Sequence, residues 1–115
     1  MEIQTGIQDG VTIITLSGNL DGNTVNEAQE KILPLVASNS LLVVLDLKGC
    51  AYISSAGLRL LLMAAKQLST QDGILVLAGL SDEIKDVMEM TGFNNFFKTF
   101  PDAASAVAAV RKGGA

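Results

Sequence analysis

The chain lacks histidine and tryptophan and has a single cysteine, Cys50, among its 115 residues. Without histidine, a Ser-His-Asp triad, a Cys-His pair and a His-ligated metal site are excluded. One cysteine permits neither an intramolecular disulfide nor a thiolate zinc site. Aromatic residues make up only 4% of the chain, which leaves little for a base-stacking surface or an aromatic ligand cage. We therefore expect neither a metal nor a cofactor.

Basic residues are also few, since eight Lys and Arg stand against twelve Asp and Glu, for a net charge of -4. They are scattered along the chain, whereas nucleic acid requires a clustered positive surface. The first ten residues have neither the basic start nor the apolar core of a signal peptide. No apolar run approaches the roughly 20 residues of a membrane span. We expect a cytoplasmic protein that binds no nucleic acid and does not insert into a membrane.

The sequence does contain enough apolar residues, 49%, to build a packed core. The length is typical of one domain, and we predict a single domain over residues 1–115. Two β-prone runs, residues 2–8 and 11–16, flank Asp9-Gly10, a dipeptide typical of a tight hairpin turn. The chain should therefore open with an antiparallel pair of strands.

Strands and helices alternate after this hairpin. Apolar runs predict two strands covered on both faces and a short last strand, at residues 41–47, 74–78 and 96–100. Capping and periodicity predict four helices, at residues 24–36, 57–70, 81–92 and from 101 onward. Alternation of this kind indicates parallel strands joined by right-handed crossovers. We predict an α/β fold with a mixed, mostly parallel sheet of four to five strands and about four helices.

The most informative stretch is a loop that carries Ser54 and Ser55 from a buried strand to the start of a helix. The first turn of a helix has unpaired N–H groups and a partial positive charge, which favour an anion. A phosphate attached to a serine would satisfy them. The simpler interpretation is that Ser54 or Ser55 caps the helix, because serine is common at that position.

The helix that follows carries apolar residues on two sides. At about 100° per residue, one side is predicted to face the core, and it contains Leu58, Leu61, Leu62, Ala65 and Leu68. Leu60 and Met63 fall on the opposite side, beside Arg59. An apolar pair on the polar side, directly after an exposed serine, indicates a docking surface for a partner. Two isolated surface hydrophobics are the alternative.

Residues 41–62, LLVVLDLKGCAYISSAGLRLLL, resemble the signature of STAS domains, and most closely that of bacterial anti-sigma factor antagonists. Three further segments resemble the same family: ITLSGNLDGN at residues 14–23, LVLAGL at 75–80 and TGFNNFFKTF at 91–100. The resemblance covers essentially the whole chain in order. Each motif alone is weak, but four in the same order are specific.

The resemblance implies partner switching rather than catalysis. In such systems the unphosphorylated antagonist binds an anti-sigma factor that is also a serine kinase, and this frees the sigma factor. The kinase binds ATP and phosphorylates one serine of the antagonist, which dissociates, and a serine phosphatase restores it. The serine of the motif corresponds to Ser55, followed by Ala56 and Gly57-Leu58. Ser54, which occupies the family's acidic position, is the second choice for phosphorylation.

The predicted partner surface combines the motif with the helix pattern. The family's Gly-x-Leu-Asp loop places Asp21 beside the acceptor serine. The residues expected to bind the partner are Asp21, Ser54, Ser55, Gly57, Arg59, Leu60 and Met63. We expect a monomer when the protein is free. The alternative is a non-phosphorylated STAS subunit of a lipid-transport or signalling assembly, with the same helix as a permanent docking surface.

Two further residues have simpler interpretations. Asp46 interrupts an apolar strand and is predicted to accept a structural hydrogen bond, because the acids that would hold Mg²⁺ beside a phospho-aspartate are missing. Cys50 has no basic neighbour closer than Lys48, so we expect a small buried or half-buried residue rather than a reactive thiol. An enzyme would need a general base for Ser54 or Ser55, and no oxyanion or cofactor motif accompanies the available acids.

Overall fold

The chain reverses at Asp9 and Gly10, which both adopt positive φ angles, 54° and 81°. This is the backbone that a two-residue hairpin turn requires. Strand β1 (Glu2–Gln8) consequently pairs antiparallel with β2 (Val11–Ser17). The computed structural model that shows this describes residues 1–37 and 41–112. The predicted hairpin is confirmed.

Three more strands extend the sheet in chain order: β3 (Leu42–Gly49), β4 (Ile74–Ala78) and β5 (Thr99–Phe100). The sheet order is β1-β2-β3-β4-β5, and every pair after the hairpin is parallel. The helices are α1 (Val25–Ala37), α2 (Ser55–Ser69), α3 (Asp82–Thr91) and α4 (Ala103–Arg111). The predicted class is confirmed, since the described residues form a mixed and mostly parallel sheet with four helices.

Alternating side chains of the parallel strands supply two separate apolar layers. Along β3, Val43, Leu45 and Leu47 belong to the layer formed with α1, α2 and α3. Val44 belongs to the opposite layer, formed with α4. Both faces of β3 are therefore covered, which explains why this strand is apolar without alternation. The crossover helices α1 and α2 lie on the same face and pack against each other.

The last strand is shorter than the predicted run of residues 96–100. A 3-10 turn over Phe93–Asn95 precedes it, and Gly92 ends α3 with a positive φ of 79°. Phe97 turns its side chain into the core, where it is 7% exposed. Burial of this ring outweighs extension of the strand, so only Thr99 and Phe100 pair with β4.

Asp46 near the end of β3 is buried, with 8% of its surface exposed. Its Oδ1 atom accepts a hydrogen bond of 3.0 Å from the backbone N–H of Lys48. A buried carboxylate needs such a partner because desolvation is otherwise costly. The prediction of a structural acceptor is confirmed.

Candidate functional site

Two loops meet at the start of α2. The backbone N–H of Leu20 donates to the carbonyl oxygen of Tyr52, and the N–H of Ser54 donates to that of Leu20, both at 2.9 Å. Leu20 and Ile53 thereby form an isolated parallel bridge, with both side chains buried. The loop after β2 and the loop before α2 are consequently joined by backbone hydrogen bonds. We call this bridged pair of loops, which precedes the serines, the loop frame.

Gly57 allows α2 to approach this frame closely. A Cβ atom at Gly57 would lie 2.9 Å from the carbonyl oxygen of Leu20, and equally close to side-chain carbons of Leu20 and Ile53. Real Cβ atoms do not come so near backbone oxygen, so any side chain here would push the helix away from the loop. The glycine of the motif is therefore explained by packing rather than by backbone conformation.

Replacement of Gly57 by alanine should destabilise the protein even though alanine favours helices by about 1 kcal/mol. Overpacking of this kind costs about 1–3 kcal/mol, and here it acts against backbone. Urea unfolding of Gly57→Ala measures the difference. Gly22→Ala is the matched control, because nothing lies within 4 Å of its added Cβ. A Gly57→Ala protein as stable as the parent would contradict the close approach.

The two serines occupy different environments. Ser54 is the N-cap of α2, and its hydroxyl oxygen accepts a hydrogen bond of 3.3 Å from the N–H of Gly57. Ser55 is the first residue of the helix and is exposed. In the part of the chain that the structure describes, no hydrogen bond involves the Ser55 hydroxyl. The capping interpretation therefore applies to Ser54, and the accessible hydroxyl belongs to Ser55.

Asp21 follows the bridge residue Leu20 and is half-buried. Its Oδ1 atom accepts a hydrogen bond of 2.9 Å from the N–H of Asn23, and its backbone oxygen accepts from the N–H groups of Thr24 and Val25. The Thr24 hydroxyl donates to the carbonyl oxygen of Asn19 at 2.7 Å. Asp21 thus organises the loop and the start of α1, and its carboxylate accepts from Asn23 rather than from Ser55.

A groove of about 240 Å³ lies between α1 and α2, and it reaches Ala56, the residue that follows Ser55. Its lining residues are Val25, Gln29, Ala56, Arg59, Leu60 and Met63. Met63 is exposed over 46% of its surface, and Arg59 is also exposed. An apolar wall next to a cation and a free hydroxyl can accommodate an apolar side chain of another protein.

Leu60 corrects one prediction, because it is only 1% exposed and belongs to the core. The helical projection assumed that α2 buries a single side, the side facing the sheet. In the structure α2 also packs against α1, so its buried side extends around to Leu60. Leu62 and Ala65, predicted to face the core, are partly buried and pack against it. Leu60 forms the floor of the groove, and Met63 alone of the predicted pair is exposed.

Cys50 lies under the site and is 1% exposed. Its Sγ atom donates to the carbonyl oxygen of Tyr52 at 3.4 Å, and burial raises the pKa of the thiol above its usual value. A raised pKa lowers the fraction of thiolate, which is the reactive form. The expectation of a small buried residue is confirmed. Within residues 1–37 and 41–112, no three potential metal ligands cluster, and no helix is long and apolar enough to cross a bilayer.

The sheet order, the hairpin and the serine-bearing start of α2 together define a known class of domain. Residues 2–106 match the STAS domain, and the chain belongs to the STAS family. The candidate anti-sigma factor antagonist BtrV of Bordetella bronchiseptica is 36% identical over 103 residues, which cover 90% of this chain and 89% of that protein. The anti-sigma-B factor antagonist of Staphylococcus aureus is 30% identical over 95 residues, covering 83% and 88%.

The solved structures agree on the fold. SpoIIAA, an anti-sigma factor antagonist, matches in its unphosphorylated form with a TM-score of 0.81 at 19% identity, over 96% of this chain and 97% of that one. The phosphorylated form of SpoIIAA, a Bacillus cell fate determinant, matches with a TM-score of 0.72, over 95% and 99%. The chain is thus homologous to the anti-sigma factor antagonists, which are regulators and not enzymes.

Sequence reasoning missed the contribution of α1 to the site. Val25 and Gln29 line the groove opposite α2, although no motif includes them. Their spacing of four residues places them on one side of a helix, and that signal was available. What the pattern lacked was the pairing of α1 with α2, which is a tertiary contact. Tyr52, exposed over 48% of its surface in the loop before Ser54, was likewise not singled out.

Proposed function

We propose that this protein is an anti-sigma factor antagonist that binds a kinase-type anti-sigma factor and is released when that kinase phosphorylates Ser55. The observation that carries the proposal is the position of Ser55 at the first residue of α2, next to the groove-lining Ala56. Ser55 is exposed, and its hydroxyl makes no hydrogen bond within residues 1–37 and 41–112. The homology to anti-sigma factor antagonists supports the same conclusion.

Ser55 is a better acceptor than Ser54 for a physical reason. The Ser54 oxygen caps α2, and its backbone N–H is bound to Leu20. Phosphorylation of Ser54 would disturb a cap worth about 1 kcal/mol and place a bulky group against the loop. Ser55 can be modified without loss of any hydrogen bond of the described residues. Asp21 follows Leu20 in the loop frame, so it contributes a negative charge near the start of α2.

The proposed reaction takes place on the partner kinase. The Ser55 oxygen attacks the γ-phosphorus of ATP, the bond from that phosphorus to the oxygen bridging it to the β-phosphate breaks, and ADP leaves. The hydroxyl proton passes to a base of the kinase, because no described side chain is hydrogen-bonded to Ser55. A serine phosphatase later hydrolyses the phosphoserine. This chain therefore contributes the acceptor and the docking surface, and ATP is bound by the partner.

The phosphate would separate the partners by electrostatics and desolvation. It adds about -1.5 to -2 charges at neutral pH to a surface that the partner covers. Burial of an unpaired charge is strongly unfavourable. A loss of about 2.8 kcal/mol would weaken binding about a hundredfold. In this proposal the protein acts in the cytoplasm and is a monomer when free.

The proposal is tested by intact mass measurement and peptide mapping of the protein purified from its own cells, together with whatever it binds. We expect one pool that is heavier by one phosphate at Ser55 and one unmodified pool bound to a small ATP-binding protein. A wholly unmodified protein attached to transporter or scaffold subunits would refute the switch. That result would favour a permanent STAS subunit of a lipid-transport or signalling assembly.

A further inference from the structure

Arg59 lies four residues after Ser55 on α2, and its side chain is exposed. The ion pairs among the residues that the structure describes join the amino terminus to Glu27 and Asp9 to Arg111. Arg59 takes part in neither, and no hydrogen bond within that part of the chain involves its guanidinium. An exposed arginine beside a docking groove, without a partner of its own, has its full hydrogen-bonding capacity available.

Helix geometry brings the two side chains together. Residues four apart on a helix have Cβ atoms about 5–6 Å from each other. Because Cα–Cβ bonds tilt toward the helix start, the side chain of Arg59 leans back over the turn that contains Ser55. A negative group that precedes a positive group by four residues is also the favourable orientation for such a pair. The planar guanidinium can donate two hydrogen bonds to one phosphate.

The surrounding charges leave this pairing open. Glu27 of the neighbouring α1 is already paired with the amino terminus, and Asp21 Oδ1 accepts from Asn23. Lys66 is the other basic residue of α2, and it lies nearly two turns beyond Arg59. A phosphate on Ser55 would therefore meet Arg59 first among the cations of its own helix.

We propose that the phosphate on Ser55 is bound in cis by Arg59. This inference rests on the proposed function, because it requires a phosphorylated Ser55. Arg59 lines the groove, so its recruitment to the phosphate withdraws a cation from the surface that the partner uses. Phosphorylation then changes the docking surface twice, by adding negative charge at Ser55 and by removing positive charge at Arg59.

The test uses the full chain with phosphoserine incorporated at position 55 during translation, and needs no partner protein. Phosphorus NMR gives the pH midpoint of the second phosphate ionisation. Because Arg59 favours the dianion, Arg59→Gln should raise this midpoint by about 0.2 to 0.4 pH unit. Lys66→Gln removes the same charge from the same helix and should leave the midpoint unchanged.

An unchanged midpoint in Arg59→Gln, or an equal rise in both variants, would overturn the pairing. Arg59→Lys keeps the positive charge, so its pH midpoint should lie close to the low value of the parent protein. This variant distinguishes loss of charge from general damage to the helix. The pairing and the proposed function can fail separately. If only the pairing is wrong, Ser55 is still phosphorylated in cells. If the proposed function is wrong, Ser55 is unmodified in cells, whatever the midpoint of the phosphoserine protein.

Discussion

Ser55→Asp should lose at least 99% of its affinity for the anti-sigma factor, whereas Ser55→Ala should bind as the unmodified protein does. Aspartate places a permanent negative charge at the exposed first residue of α2, beside the groove. Desolvation of that charge, at a cost of about 2.8 kcal/mol, corresponds to a hundredfold weaker complex. Alanine removes no hydrogen bond of the described residues, because the cap is provided by Ser54. Titration calorimetry with the purified anti-sigma factor measures both.

The binding experiment needs a control that distinguishes a charge placed at Ser55 from a change in the net charge of the protein. Gln67→Glu adds the same charge to an exposed position of the same helix, about three turns away from Ser55. It should bind the partner with nearly the affinity of the parent. Under the proposed switch, Ser55→Ala should remain in the bound state permanently in cells, because alanine has no hydroxyl to accept a phosphate. Equal binding by Ser55→Asp and Ser55→Ala would remove Ser55 from the partner surface.

The sequence was sufficient for the parts of the fold that depend on local chemistry. Asp9-Gly10 determines the hairpin through backbone conformation alone. Ser81 caps α3 by accepting from the N–H of Ile84, and Gly92 ends that helix in the left-handed region, as their types indicate. The continuous apolar run of β3 predicts a strand covered on both faces. These features need no knowledge of distant residues.

The candidate site could be predicted only in part, because the roles of its residues depend on contacts between elements that are distant in sequence. The motif contains both serines but does not show which one is held by its surroundings. Ser54 is held, because its hydroxyl caps α2 and its N–H donates to the carbonyl oxygen of Leu20 in the neighbouring loop. The same close approach explains why Gly57 has no side chain. The projection of α2 failed at Leu60, because a single periodicity cannot show that a second helix covers another side. The shortened β5 has the same origin, since Phe97 is buried by contacts remote in sequence.

Substitutions at Leu60 and Met63, which sequence periodicity treats as equivalent, should have different effects. Those at Leu60 should lower stability, whereas those at Met63 should weaken partner binding. Leu60 is 1% exposed, and truncation of a buried leucine to alanine costs about 2–5 kcal/mol, a large share of typical stability. Leu60→Met, which conserves volume, should cost less than about 1.5 kcal/mol and remain folded. Urea unfolding measures these differences, and they require no partner.

Met63→Ala should show the opposite behaviour. Its side chain is 46% exposed, so the free energy of unfolding should change by no more than about 0.5 kcal/mol. Affinity for the anti-sigma factor should fall about fivefold or more, because a partner that covers the groove buries this side chain. Met90, exposed over 85% of its surface on α3, provides the control, and Met90→Ala should change neither quantity. If Met63→Ala bound normally while Ser55→Asp did not, the partner would contact the start of α2 without entering the groove. The docking surface would then be limited to the loop frame and the first turn of the helix.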